Sequence, residues 1–386
     1  MSRTDAPCHA ELQRELESLR RWLLTDAYPL WATRGYDEVR GGFEESLTRE
    51  GPTAAAPRRA RVQVRQIYSF ARAADFGWNP ALSHRLVTQG LDYFLAHYQR
   101  SDGLFRTLVG ADGRALDERA FLYDQAFVLL ALAEGERLLG PSPELVQAAR
   151  TLRSALYDLL KRAGPGFNSG VPDALPLLSN PHMHLLEAAL SWTSVSDDPA
   201  WRELADEIGA LALSRFIDSA SGALREQFDE HWLPAAGIAG RIVEPGHQFE
   251  WAWLLLRWGG SAAAGAQQAA VTLTQIAESH GIRDGVAINS LLDDFSVHDG
   301  EARLWPQTER LKAAVRLAAI TRDPVYWSMA AQAAAGLRRY LQTDVPGLWY
   351  DRLTMDGQFI AQPAPASSFY HIVCAISELT AALPAN

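Results

Sequence analysis

The chain has 386 residues, 48% of them hydrophobic and 21% charged, and a formal net charge of -10. This is the composition of a soluble globular protein with ample apolar material for a core. The acidic balance and lack of a basic run exclude nucleic acid and anionic membrane as expected partners, and no apolar run is long enough to span a bilayer.

Cys8 and Cys374 lie at opposite ends, form no metal motif, and read as free thiols of a reducing compartment. No secretory apolar segment follows Met1, so a cytoplasmic location is expected. The 12 Trp residues are many for this length. Most are expected in the core, although Trp clusters also line sugar sites.

Leu12, Leu16, Leu19 and Leu23 make one stripe of a helix predicted from about residue 10 to 32. Gly41-Gly-Phe-Glu-Glu starts a short extended piece, and Thr53 to Pro57 reads as a polar surface loop. Arg65 and Tyr68 lie at the entry of the next helix, and another is expected from Leu82 to Tyr98. The order then recurs. Asp102-Gly103 and Asp112-Gly113 are turns, Tyr123-Asp124 opens a helix, and an outer helix runs from Pro143 to about Arg162. Further units start at Gly166, Ser221, Gly285 and Pro346. They reach helix-entry residues His184, Glu250, Glu309 and His371.

The entry residues recur at a step of roughly sixty. Each unit has a Gly-led hairpin, an apolar helix with a polar entry, and a more charged helix such as Trp201–Phe216 or Tyr326–Leu341. Six such pairs suggest a closed all-α ring, an (α/α)6 barrel with short β-hairpins at its mouth. The Ala/Gly tract Gly259–Gly265 is too short for a linker, so residues 1–386 are expected to form a single domain. In such a ring the six inner N-termini meet at one mouth, where their dipoles favour developing negative charge.

The residues expected there are Arg65, Tyr68, Tyr123, Asp124, Asn180, His184, His247, Glu250, Glu309 and His371. In Glu244-Pro-Gly-His247-Gln-Phe-Glu250, the imidazole and the second carboxylate are three apart and share a helix face. A histidine among aromatics is most often a hydrogen-bonded core residue, but here the pattern recurs from unit to unit. There is no Ser-His-Asp spacing and no phosphate-cradling Gly loop. His182 and His184, with His247 and Glu250, could in principle hold a metal. An H-x-H pair on a helix, however, points its imidazoles about 200° apart. Neither a metal nor another cofactor is expected. Several imidazoles suit proton transfer near neutral pH, and an arginine suits an enediolate.

The blocks Arg65-Gln-Ile-Tyr68-Ser-Phe70-Ala71, Tyr123-Asp124-Gln-Ala-Phe127, Asn180-Pro-His-Met-His184, Glu244-Pro-Gly-His247-Gln-Phe-Glu250-Trp251, Trp305-Pro-Gln-Thr-Glu309 and His371 carry a resemblance. The chain resembles the N-acylglucosamine 2-epimerase family, from about Gly41 to His371. The Asn180 and Trp305 blocks look most like its mannose isomerase and sulfoquinovose isomerase branch. The resemblance implies isomerisation of a small-molecule sugar through a cis-enediolate without a metal or redox cofactor. It makes His247 and His371 proton-transfer groups and has His184 and Glu250 assist ring opening or orient an imidazole. It assigns Arg65, Tyr123, Asn180, Trp305 and Glu309 to substrate binding.

The leading expectation is a D-mannose/D-fructose isomerase, monomeric or homodimeric. The alternatives are a sugar 2-epimerase or sulfoquinovose isomerase on the same scaffold and, more distantly, an inverting glycosidase using Glu250 and Glu309. An anionic sugar needs an anion pocket, for which Arg58, Arg59 and Arg61 are candidates.

Overall fold

A computed structural model describes residues 5–53, 56–259 and 263–383. The loop expected at Thr53–Pro57 and the tract at Gly259–Gly265 lie partly outside the described residues, as does the Cys8 side chain.

The chain opens with α1 (Asp5–Trp22) and a short α2 (Tyr28–Thr33). The single helix expected over about 10–32 is interrupted by a wide turn at Leu23–Ala27. Pro29 follows at once, and its lack of an N–H disfavours an unbroken α-helix. Next come α3 (Ala60–Ala73), α4 (Pro80–Tyr98), α5 (Leu122–Leu139) and α6 (Pro143–Leu159). These are followed by α7 (Ser179–Trp192), α8 (Pro199–Leu211), α9 (Pro245–Trp258) and α10 (Ala263–Gly281). The last are α11 (Leu304–Thr321), α12 (Pro324–Leu341) and α13 (Ser367–Ala382).

The odd-numbered helices from α3 onward each pack on the next, and α13 packs back on α3. That closes an inner ring of six. Helices α4, α6, α8, α10 and α12 lie outside it, and α1 fills the remaining outer place against α12 and α13. The fold is the expected (α/α)6 barrel. Inner helices are covered on all sides and are apolar nearly all round, as α5 is from Ala126 to Ala133.

Four outer helices begin in one way: Asn79-Pro80, Ser142-Pro143, Asp198-Pro199 and Asp323-Pro324. The first residue of each pair accepts a backbone N–H of the opening turn, from Leu82, Leu145, Ala200 and Val325. Each such cap contributes about 1 kcal/mol. The proline sits where the helix needs no donor.

The strands at the mouth join neighbouring units more than they form hairpins within one. Arg58–Arg59 pairs with Leu108–Val109, Ala120–Phe121 with Gly170–Val171, and Leu177–Leu178 with Gln227–Phe228. Val243 bridges to Leu291, and Ala302–Arg303 pairs with Arg352–Leu353. Ala364–Pro365 pairs with Ser46–Leu47, linking the last unit to the first.

Buried side chains pin this crown to the inner helices. Gln63 both accepts from and donates to the backbone of Phe43, each at 2.7 Å. Gln125, Gln248 and Gln307 hold Phe105, Leu224 and Ala287 in the same way. In the third unit His182 takes this place: its Nε2 accepts the N–H of Phe167 at 3.0 Å and its Nδ1 donates to Leu178 O. His182 is therefore a structural residue. Two residues further along each of these helices lies Arg65, Phe127, His184, Glu250 or Glu309. An offset of two turns a helix by about 200°. One position thus faces the crown and the other the barrel axis.

Candidate active site

The inner-helix N-termini surround one cavity of about 470 Å³. Its wall includes Arg65, Tyr123, Asn180, His184, His247, Glu250, Trp305 and His371; of the residues expected at the mouth, Tyr68, Asp124 and Glu309 do not line it. Glu309 was expected to hold substrate hydroxyls. It is instead fully buried behind His371, 2.8 Å from that imidazole's Nδ1, and its other oxygen meets Lys312 Nζ at 2.5 Å. A carboxylate two positions from the crown-facing Gln307 points to the axis, where the cavity-lining His371 of α13 bonds to it.

The two proton-transfer candidates have opposite electrostatics. His247 Nδ1 lies 2.8 Å from Glu226 and 3.6 Å from Glu244. Burial opposes charging this imidazole, but those two carboxylates outweigh it and raise its pKa to about 10. At neutral pH His247 is an imidazolium. His371 is lowered well below 6.5, first by burial, then by the charges of Arg65 and Lys312. It is a neutral imidazole. With Glu309 accepting at Nδ1, the lone pair lies on Nε2. Trp305 touches both rings, with centroids 5.0 Å from His247 and 5.8 Å from His371.

A second acid–base pair lies deeper. Burial lowers the pKa of His184 to about 3, despite Glu187 3.4 Å from its Nδ1. Burial, then the charge of Glu309, raises Glu250 to about 8. Glu187 is held at about 2: burial opposes its ionisation, but the bond with His184 and the charge of Lys312 prevail. At neutral pH, Glu250 therefore carries a proton and His184 does not. They stand 4.0 Å apart. Glu250 Oε1 and Asn180 Oδ1 have no hydrogen-bond partner among the described residues. Both residues line the cavity, where a ligand hydroxyl would satisfy them.

Arg65 donates to the Tyr123 hydroxyl and to Ser367 O, and its guanidinium lies 4.1 Å from the Phe127 ring centroid. Among the described residues it has no carboxylate partner. Its charge is thus free for an anionic oxygen. Asp124, a candidate helix cap, is fully buried and pairs with Arg61 at 2.9 Å. Tyr68 packs at 4.8 Å from Tyr370, away from the cavity wall. Arg58 is no anion site: it is buried against Asp37, Glu44 and Gly41 O.

Three clusters have cation-binding composition: His184/Glu187/Glu250, Glu226/Glu244/His247 and Glu250/Glu309/His371. In each, the histidine Nδ1 faces a carboxylate, Glu187, Glu226 or Glu309. Sequence reasoning missed Glu226 altogether. Its only local sign is a charged residue two positions after Leu224, which Gln248 pins. It also passed over Asp351 and Ser368, bonded to each other at 2.8 Å on the cavity wall.

A profile of the family described as N-acylglucosamine 2-epimerase (GlcNAc 2-epimerase) matches residues 41–375. The chain belongs to the N-acylglucosamine 2-epimerase family. It is an isomerase-type enzyme acting on sugars. A Rhizobium meliloti (strain 1021) protein named mannose-6-phosphate isomerase is 47% identical over 382 residues, covering 96% of this chain and 97% of its own. Among solved structures, a cellobiose 2-epimerase from Spirochaeta thermophila superposes with a TM-score of 0.85 at 22% identity, covering 96% and 97% of the two chains. A D-mannose isomerase does so at 0.84 and 21% identity, with the same coverage. At such identities these two structures bear on the fold alone. Among the described residues no helix is long and apolar enough to cross a membrane.

Proposed function

We propose that this family member works as one catalytic domain that interconverts D-mannose and D-fructose through a cis-enediolate. The observation that carries this reading is the pair of cavity imidazoles with opposite surroundings: His247 lies against Glu226 and Glu244, which favour its charged form, and His371 lies buried near Arg65 and Lys312, which favour its neutral form. His371 Nε2 takes the proton from C2, which leaves the cis-enediolate with its negative charge on O1, and His247 then protonates O1. His371 then returns its proton to C1, and His247 recovers one from O2. Arg65 stabilises the negative oxygen between these steps. Ring opening comes first. Glu250 protonates the ring oxygen and His184 takes the proton of the anomeric hydroxyl, after which His184 reprotonates Glu250. Tyr123, Asn180 and Trp305 hold the sugar.

A 2-epimerase would use the same groups, with His247 protonating C2 from the opposite face. Turnover of mannose in heavy water separates the two. Fructose labelled at C1 supports the isomerase, and glucose labelled at C2 supports the epimerase. Absence of both products would sink both readings.

The uncharged sugar is preferred because the mouth arginines other than Arg65, which is kept for the enediolate, have carboxylate partners. Arg59 meets Glu45 at 2.7 Å, Arg61 meets Asp124 at 2.9 Å, and Arg303 meets Glu244 at 3.8 Å. A 6-phosphate, as in the name of the Rhizobium relative, is the second reading. Comparing kcat/KM for mannose and mannose 6-phosphate decides between them. The glycosidase alternative fits poorly. Glu250 and Glu309 have oxygens within 4.8 Å of each other, whereas inverting pairs stand about 6.5–9.5 Å apart.

A further inference from the structure

At and behind the cavity wall, three acidic side chains gather around one fully buried cation. Glu187 on α7, Glu250 on α9 and Glu309 on α11 are each buried to within about 1% of complete. The cation is Lys312 on α11, whose ammonium is fully buried, 2.5 Å from Glu309 Oε2 and 3.7 Å from the centroid of Trp253. The Cys374 thiol on α13 also faces it. The imidazolium of His247 also acts on Glu250, and Arg257 on Glu187, but Lys312 is the cation paired with Glu309, and burial still favours a proton on one of the three carboxyls. The contacts indicate which. Glu187 has His184 and the Tyr370 hydroxyl as donors. Glu309 has His371 and the Thr308 hydroxyl as donors and forms an ion pair with Lys312. Glu250 Oε1 has no partner among the described residues, and Glu250 holds the proton.

The state of Glu309 decides which nitrogen of His371 is free. An ionised Glu309 only accepts, so the imidazole must place its proton on Nδ1 and keep Nε2 bare. A protonated Glu309 donates to Nδ1 and forces the proton onto Nε2, which removes the base. Burial pushes Glu309 toward the protonated form, and Lys312 is the strongest influence against that. The other charged groups around His371 are Arg65 on α3, His247 on α9 and Glu187 on α7. None of them lies on the Glu309 carboxylate as Lys312 does.

We propose that Lys312 is a positioning residue: it keeps Glu309 ionised and so holds His371 in the tautomer whose Nε2 faces substrate. Lys312 touches no substrate. The proposal rests on the reading of His371 as the base, and the test separates the two.

The full-length protein is labelled with 15N-histidine, and the ring nitrogens of His371 are assigned by comparison with H371N. In the wild type His371 gives the Nδ1–H pattern. In Lys312→Met, a near-isosteric change, it gives the Nε2–H pattern. The kcat of K312M at pH 7 falls about 100-fold, within the usual range for a lost general base, and KM changes less than about threefold. Activity returns as pH rises and Glu309 ionises. K312R keeps most of the rate.

In Glu309→Gln the amide oxygen turns to Lys312 and its NH2 faces Nδ1, so the rate falls and does not return with pH. The double variant K312M/E309Q frees the amide to turn over and regains part of the rate. An unchanged Nδ1–H pattern in folded K312M would overturn the proposal, as would a uniform rate loss with an unshifted pH profile. If K312M does not fold, E309Q still reads the tautomer, and a retained Nδ1–H pattern there overturns the proposal equally. If H371N keeps full activity, the assignment of the base fails while the tautomer result stands.

Discussion

Replacing Glu226 by Gln removes one charge and almost no volume, which makes it a sharp test of the acid assigned to His247. Glu226 Oε2 lies 2.8 Å from His247 Nδ1 and is the largest influence raising that imidazole to about 10. The rise from 6.5 to about 10 corresponds to roughly 4–5 kcal/mol favouring the charged form. Without Glu226, only Glu244, at 3.6 Å, opposes burial from close range. The pKa of His247 then falls to its ordinary value or below. With a pKa near 6.5, about one-tenth of His247 is imidazolium at pH 7.5. The kcat of E226Q for mannose is therefore expected to drop at least about tenfold at pH 7.5 and to recover largely by pH 5.5. His371, lowered well below 6.5 by burial and then by Arg65 and Lys312, takes up its proton at a lower pH than an imidazole of ordinary pKa. The assay is kcat from pH 5 to 9, by polarimetry or fructose release. In the wild type the descending alkaline limb is set first by Glu250, near 8, and in E226Q it moves to about 6.5 or lower. A rate loss equal at all pH values would falsify the claim that Glu226 acts through the charge of His247.

The remaining predictions concern the other cavity groups and the framework. E250Q lowers kcat, and its profile no longer descends near pH 8; a limb that persists there belongs to another group. R65K keeps the charge but loses the fork that reaches Tyr123 and Ser367 O. It is expected to lose about 100-fold in kcat with little change in KM, and a change confined to KM would refute the enediolate role. Gln248→Ala leaves the buried N–H and C=O of Leu224 unpaired. A loss of about 2–4 kcal/mol in urea unfolding is expected, and a loss below 0.5 kcal/mol would contradict the pinning role. Stability also depends on pH. His182 and His184 are held neutral at about 4 and about 3. Their folded pKa values lie below the unfolded value, so the unfolded chain binds more protons and stability falls as pH drops below about 6.5. Roughly 2 kcal/mol per residue is expected to be lost by pH 5. Urea midpoints between pH 5 and pH 7 check this, and a flat profile would contradict neutral burial.

Much of the architecture could be read from the chain. The recurring polar residue at each helix entry placed Arg65, His184, Glu250, Glu309 and His371 on inner helices, because position along a helix dictates direction. Other features were present but passed over. The four cap-proline starts mark the outer helices, and the recurring glutamines mark the crown-facing positions. The helix at residues 10–32 was expected to be unbroken because the Leu stripe outweighed Pro29. Glu309 was expected on the wall because a helical pattern gives direction but not depth.

Periodicity and helix-entry chemistry, which are local properties of the chain, were enough to imply six helix pairs, a common mouth and the residues that gather there. The protonation states were not. His247 and His371 are the same side chain near the start of similar helices, yet one is charged and the other neutral. The difference comes from Glu226 and Glu244 beside one, and from Arg65, Lys312 and burial around the other. Electrostatic energy depends on distance and dielectric, not on separation along the chain, and folding alone sets both.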